Sequence, residues 1–369
     1  MLNFLIKPAS SSCNMRCKYC FYRDVADNRS THSFGVMSEE TLSAFLKNVF
    51  SYAKVPISFT FQGGEPTLAG ADYFKKFHAL VEKYNDRRLP LSFSLQTNGY
   101  AISPELCEIF SKYKYLLGVS LDGDRELHNS LRPDAKGAPT YDKVNAAIKL
   151  FDSYKIDYNI LTVITEEVAA RGAEVYRHLR DRGFGFLQFI PFVPDFSGQG
   201  CDCDFTLTNT SYAHFLTATF AEYYRDFISG RYVSVRQFDN FVRIAAGLSA
   251  ECCGMGGSCN ASLVVEADGG VYPCDFYVLD KWKMGNITTD TPDVLLSSPA
   301  AAEFVASSRV IYEECRQCPY FSICRGGCRR HRESTEGLVD KNRYCDAYRS
   351  FFEESLPLIM DMARRIKVK

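Results

Sequence analysis

Cys13-Asn14-Met15-Arg16-Cys17-Lys18-Tyr19-Cys20 sets three thiols in the spacing Cys-x-x-x-Cys-x-x-Cys. Three thiolates this close together can hold three irons of a cubane [4Fe-4S] cluster. Such a cluster ordinarily takes four Cys ligands, so the spacing leaves one iron open to a small molecule. A structural zinc site and a disulfide pair are the competing uses of the same residues. Zinc wants a fourth Cys or His nearby, and the next histidine, His32, is poorly placed for it.

Outward from this motif, apolar β-rich runs alternate with helical patterns as far as about residue 192. The expected strands are Leu2–Ile6, Ile57–Phe61, Leu91–Leu95, Leu116–Leu121, Tyr158–Ile164 and Phe186–Phe192. The expected helices are Ser38–Tyr52, Asp72–Tyr84, Pro104–Tyr113, Tyr141–Tyr154 and Arg171–Arg182. Strand–helix alternation with a crossover each time implies a parallel sheet with right-handed connections. The periodicity leaves an incomplete barrel and an open doubly wound sheet both standing. The Pro194–Asp204 loop and a long helix over Asn209–Ile228 follow. After Ala250, Cys, Gly and Pro become frequent and periodicity fades until a helical pattern over Asp346–Lys367, the texture of a small domain held by metal rather than by a core. The division expected is 1–204, a bridging segment 205–250, and a Cys-rich domain 251–369.

The chain of 369 residues is 46% apolar and carries a net charge of −1, which gives no electrostatic case for a nucleic-acid or membrane partner. No apolar run approaches the roughly 18 residues of a membrane span. The LNFLI run is too short for a signal-peptide core and ends at Lys7 and Pro8, so a cytoplasmic location is expected. Fifteen cysteines without an export signal then point to metal rather than to disulfides. Eight of them fall in two late groups. The first is Cys253-x5-Cys259, followed by Gly269 and Cys274; the second is Cys315-x2-Cys318-x5-Cys324-x3-Cys328, followed by Cys345. Eight thiolates suffice for two four-cysteine clusters, while any single group would serve zinc equally well. Cys107, Cys201, Cys203 and Cys252 are left over as buried or incidental thiols.

The whole pattern resembles a family. CNMRCKYCFY, FQGGEPTLAG, LQTNGYAIS, VSLDGDRELHNSLR, VVEADGGVYPCDFYVLDKW and CRQCPYFSICRGGCRRHR together look like the anaerobic sulfatase-maturating enzymes, radical S-adenosylmethionine (SAM) enzymes with a SPASM extension. The resemblance implies an α/β fold: a partial (β/α)6 radical SAM barrel followed by a Cys-rich SPASM-type domain with two auxiliary iron-sulfur clusters. It implies S-adenosyl-L-methionine and three [4Fe-4S] clusters as cofactors. The first cluster would sit on Cys13, Cys17 and Cys20, the second on Cys253, Cys259, Cys274 and Cys328, and the third on Cys315, Cys318, Cys324 and Cys345. Cys252 competes with its neighbour Cys253. The implied reaction oxidises a Cys or Ser of an unfolded or nascent sulfatase polypeptide to Cα-formylglycine without oxygen. An electron donor such as flavodoxin or ferredoxin would serve it.

Individual positions carry both readings. In Gln62-Gly63-Gly64-Glu65-Pro66, two glycines let a ligand approach the backbone, and Glu65 can accept hydrogen bonds from an ammonium; the stretch resembles the element that binds the SAM amino group. Tyr19 resembles the residue packed on adenine. Ser120 and Asp122 end the fourth strand, where ligands of parallel folds gather, and Ser120 resembles a ribose contact. Arg132 resembles the partner of the SAM carboxylate, with His128 a candidate to orient it. Asp275, directly after Cys274, resembles the family's base, with Asp280 as competitor. Tyr22 and Gln62 resemble positions near the peptide substrate. The run from Arg325 to Arg332 reads as a solvated or cluster-stabilising face rather than a nucleic-acid site. The Pro191–Asp204 loop is a substrate-facing candidate. A SPASM enzyme that cross-links or epimerises a ribosomal peptide, and a zinc-stabilised binding protein without catalysis, are the alternatives.

Overall fold

Phe4, Phe59 and Phe93 stand opposite one another on three neighbouring strands, and their rings form a stacked column with centroids 5.8 and 6.2 Å apart. In-register parallel strands bring like positions side by side, so a phenylalanine at the middle of each becomes a continuous apolar ridge. The computed structural model describes residues 1–196, 205–333 and 340–367. Its strands, in chain order, are β1 (Leu2–Ile6), β2 (Ile57–Phe61), β3 (Leu91–Thr97), β4 (Leu116–Ser120), β5 (Asp157–Ile164), β6 (Phe186–Pro191), β7 (Ser234–Val235), β8 (Leu263–Val265), β9 (Gly270–Tyr272) and β10 (Gly285–Asn286). The chain gathers into two compact units. The first comprises Met1–Ser120, Arg132–Tyr158 and Asn260–Phe304; the second comprises Leu121–Leu131, Asn159–Cys259 and Val305–Lys369.

In the first unit β1 to β4 lie in chain order and all pair in parallel. The helices Glu39–Tyr52, Gly70–Tyr84 and Pro104–Lys112 make the crossovers that parallel pairing demands. Ser38 and Ser103 cap two of them by accepting from the amides of Thr41 and Leu106, and Pro104 occupies a first-turn position where its missing N–H costs nothing. Phe45 and Phe77 from these helices meet the Phe59 ring edge-on.

Residues 260–304 correct the expectation of a domain without a core. β8 pairs in parallel with the free edge of β1, β9 turns back antiparallel on β8, and β10 follows antiparallel on β9. The sheet of this unit is therefore mixed. Val264, Val265, Val271, Tyr272, Tyr277 and Phe304 are buried. Strands of two or three residues are too short to show a period, which is why the pattern seemed to fade.

In the second unit β5, β6 and β7 pair in parallel. Its helices Asn209–Ile228, Arg236–Ala245 and Cys345–Lys367 meet through Phe220, Phe238, Phe241 and Phe351. Residues 197–204 of the Pro191–Asp204 loop, with Cys201 and Cys203, fall outside the described residues. Among the described residues no helix is long and apolar enough to cross a membrane.

The aromatic column gives a stability test. Phe59→Ala removes a fully buried ring and is expected to cost about 3–5 kcal/mol in chemical denaturation. Phe186→Ala, at a ring that is 56% exposed, serves as the near-neutral control; equal effects at the two sites would remove the column as the core.

Candidate active site

The segment from Lys7 to Ser12 leads from β1 into the cysteine loop, and it is seated on the turn after β2. The Gly64 amide donates to the Ser10 carbonyl at 2.9 Å and the Glu65 amide to the Ser12 carbonyl at 2.8 Å. A Cβ on Gly64 would lie 2.1 Å from the Ser12 oxygen, and one on Gly63 2.9 Å from the Ser10 oxygen. The backbone that these glycines admit is thus the chain's own. Glu65, 1% exposed, accepts from the Thr67 amide, the Thr67 hydroxyl and the Thr97 hydroxyl at one oxygen, and from the Asn98 amide at 2.7 Å at the other. Burial raises its carboxyl above the usual range, opposed by these bonds. The oxygen facing Asn98 retains acceptor capacity for an ammonium.

Around the first three cysteines, the Cys13 sulfur accepts from the Met15 amide at 3.4 Å and from the Asn98 side-chain amide at 3.5 Å. Asn98 also donates to Asn14 at 2.8 Å, so it braces the loop at two points. The Cys20 amide donates to the Cys17 carbonyl, tightening the turn. Amide donors aimed at a buried sulfur suit a cluster-bound thiolate. Asn98 was not among the residues singled out from sequence, although it lies in LQTNGYAIS at the end of β3, where side chains of a parallel sheet meet ligands.

The structure joins Tyr19 and Arg132: the guanidinium donates to the buried phenol oxygen at 2.5 Å. Ser120 ends β4 half-buried. Asp122 and His128, in the second unit, are fully buried and tied to each other, the Asp122 amide donating to His128 Nδ1 at 3.3 Å. The Asp122 carboxylate accepts from the Val163 amide at 3.1 Å, fastening the turn to β5.

Asp275 is the centre of a second constellation within the first unit. Its Oδ2 accepts from the Tyr22 hydroxyl at 2.5 Å and from the Gln62 amide at 3.2 Å. Its Oδ1 takes no hydrogen bond and faces the buried Lys7 ammonium at 3.4 Å. Lys7 also stands 4.6 Å over the Tyr22 ring. Burial and the neighbouring carboxylate push the Tyr22 phenol well above its usual range, so it remains a donor. Three residues expected near the chemistry are thereby brought together. Lys7, the fourth member, was read only as the end of an apolar run; a lysine directly after a buried strand was the available signal. Asp280 instead accepts the Ser30 amide at 2.7 Å, a loop-fixing role.

The second unit holds the late cysteines apart from Cys274, which lies in the first. Cys315, Cys318, Cys324 and Cys345 line one cavity of about 320 Å³ walled by Tyr320, Tyr348 and Phe352. Cys253, Cys259 and Cys328 lie within electrostatic reach of one another. Cys252 turns instead to Asn240, which donates to its sulfur at 3.5 Å. Burial pushes the Cys324 and Cys328 thiols up to about 12. Such sulfurs become thiolates only with a cation against them, as cluster iron supplies. Among the described residues no three His, Cys, Asp or Glu side chains converge on a single ion; the cavity suits a polynuclear group. The basic run is not a solvated face: Arg329, Arg330, His331 and Arg332 are all buried. Arg329 and Arg332 favour the Cys259 thiolate, which agrees with the cluster-stabilising alternative.

The model of the radical SAM superfamily matches residues 8–194, and that of an iron-sulfur cluster-binding domain, SPASM, matches 253–319. Fold and cysteine sets together define a radical SAM oxidoreductase with a SPASM domain. The cysteine-type anaerobic sulfatase-maturating enzyme of Clostridium perfringens is 42% identical over 99% of both chains. The serine-type enzyme of Bacteroides thetaiotaomicron is 26% identical over 99% of this chain and 92% of its own. Native anSMEcpe with bound AdoMet superposes with a TM-score of 0.95 at 42% identity, covering 99% of this chain and 100% of that one. The same protein with AdoMet and the Kp18Cys peptide gives 0.94 at 42% identity, covering 99% of each. The chain belongs to the anaerobic sulfatase-maturating enzymes.

The contact at Gly64 is testable. Gly64→Ala forces its new methyl into the Ser12 carbonyl; we expect destabilisation on the order of 3 kcal/mol and a purified protein depleted in iron. Normal iron content and an unchanged melting temperature would show that the loop does not depend on this approach.

Proposed function

We propose that this enzyme oxidises a cysteine of an unfolded or nascent sulfatase polypeptide to Cα-formylglycine without oxygen, in the cytoplasm, with electrons from a flavodoxin- or ferredoxin-like donor. The observation that carries the reading is the Asp275 carboxylate, adjacent in sequence to Cys274 and held by Tyr22, Gln62 and Lys7 with one oxygen free of hydrogen bonds. The preference for cysteine is supported by the 42% identity to a cysteine-type enzyme against 26% to a serine-type one.

With clusters on the three cysteine sets and AdoMet on the open iron, these groups would supply a 5′-deoxyadenosyl radical and accept the electron left on the substrate. The residues assigned to AdoMet are Tyr19, Gly63, Gly64, Glu65, Ser120, Asp122 and Arg132. Glu65 would accept the amino group through its less occupied oxygen, and Arg132, held by Tyr19, would meet the carboxylate. On the substrate, the target cysteine loses a hydrogen atom from Cβ, a proton from sulfur and one electron, giving a thioaldehyde that water hydrolyses to the aldehyde with loss of hydrogen sulfide. Asp275 takes the sulfur proton. Tyr22 and Gln62 hold the carboxylate through Oδ2, which leaves the Oδ1 lone pairs for that proton. Lys7 offsets the buried negative charge and keeps water from being its only counterpart.

Asp275→Asn preserves the shape of this network but removes the proton acceptor. It should leave 5′-deoxyadenosine formation intact while aldehyde yield falls about 10²–10⁴-fold; an unchanged yield, read by mass spectrometry, eliminates Asp275 as the base. The wild-type enzyme, given matched sulfatase-like peptides carrying Cys or Ser, should convert the Cys peptide faster. A Ser preference overturns the cysteine assignment, and 5′-deoxyadenosine with both peptides unaltered overturns the substrate class.

A further inference from the structure

Arg332 is a buried cation without a carboxylate. It is 5% exposed, yet no ion pair among the described residues includes it. Two other arginines with buried side chains have such a partner: Arg29 pairs with Glu266 at 2.8 Å and Arg329 with Glu333 at 2.5 Å. The Arg332 Nη2 and Nη1 donate only to main-chain carbonyls, of Ser308 at 2.8 Å and Val310 at 3.2 Å. Its Nε has no hydrogen-bond partner. A buried charge left uncompensated is strongly destabilising, so the counter-charge must come from elsewhere in its surroundings.

Those surroundings are sulfur. Arg332 lies within electrostatic reach of Cys259 and Cys328 in one set and of Cys315 in the other. Its position explains the double reach. Ser308, whose carbonyl takes Nη2, accepts the Cys259 amide at its hydroxyl at 2.9 Å. A Cβ built on Gly326 would stand 3.7 Å from the Arg332 Cδ and 3.8 Å from its Nη1. Gly326 belongs to the short strap between Cys324 and Cys328, which ends in one cysteine of each set.

We propose that Arg332 is the shared counter-ion of both auxiliary clusters and raises the reduction potential of each, so that both accept an electron more readily. This rests on the assignment of these cysteines as cluster ligands. Reduction adds one negative charge, and a fixed cation in a low-dielectric interior stabilises the reduced form. Arg332 touches no substrate; it is a positioning residue for charge.

The test uses the full chain with Cys13, Cys17 and Cys20 replaced by Ala, so that only auxiliary clusters remain, reconstituted and titrated anaerobically with EPR detection. Arg332→Gln removes the charge and keeps a polar side chain; Arg332→Lys keeps the charge and loses the fork. We expect Gln to lower both midpoints enough to change the reduced-to-oxidised ratio at fixed potential about tenfold, about 59 mV for a one-electron couple. Lys should recover most of that shift. Full iron with unmoved midpoints in the Gln variant, a shift in one cluster alone, or equal shifts in Gln and Lys each overturns the proposal while leaving the ligand assignment standing. Iron lost from Gln but kept by Lys supports the counter-ion; iron lost from both overturns it. A parent chain that holds no iron overturns the ligand assignment, and the proposal with it.

Discussion

Two backbone hydrogen bonds, from Gly64 and Glu65 to the carbonyls of Ser10 and Ser12, hold the cysteine loop against the end of β2. Much of the first unit's chemistry depends on that close approach. It needs a residue without a side chain at Gly64, because a Cβ there would stand inside the Ser12 carbonyl. Once the loop is seated, the Glu65 carboxylate turns inward to the Asn98 amide, and the Asn98 side chain reaches back to the Cys13 sulfur. The circuit closes on itself. A disturbance at any member is felt at the thiols, although only Cys13 among these residues would touch iron.

The same strand geometry supplies the second constellation. β1 is paired on both edges, to β2 on one side and to β8 on the other. Lys7 follows β1 and Gln62 follows β2, two parallel strands that end together, while Asp275 lies beyond the antiparallel β9. Asp275 meets groups from distant parts of the sequence, Lys7 and Gln62 from the shared end of two parallel strands and Tyr22 from the helix after the cysteine loop.

Much of this was legible in the sequence where periodicity or spacing carried it. β1, β2 and the helix Asn209–Ile228 fall on the residues expected. The mixed edge β8–β10 was not legible, because strands of two or three residues have no alternation to read. The thiols could be grouped by their spacing, yet the partners that orient them could not. Asn98, Lys7 and Arg332 act through contacts made by tertiary packing, and the strand-end positions of Asn98 and Lys7 are the one local hint of it. The burial of Arg329 to Arg332 shows the limit most plainly: a run of basic residues reads equally as a solvated face or a cluster-stabilising one until its packing is known.

The pairing of β1 with β8 also has a consequence for biosynthesis. One edge of β1 is completed only by β8, about 260 residues later in the chain. At ordinary elongation rates of about 5–20 residues per second, that edge waits on the order of tens of seconds. During this interval the cysteine loop can form with β2, while Asp275 has yet to be translated. A nascent chain thus presents Cys13, Cys17 and Cys20 on a seated loop before Asp275 has been added.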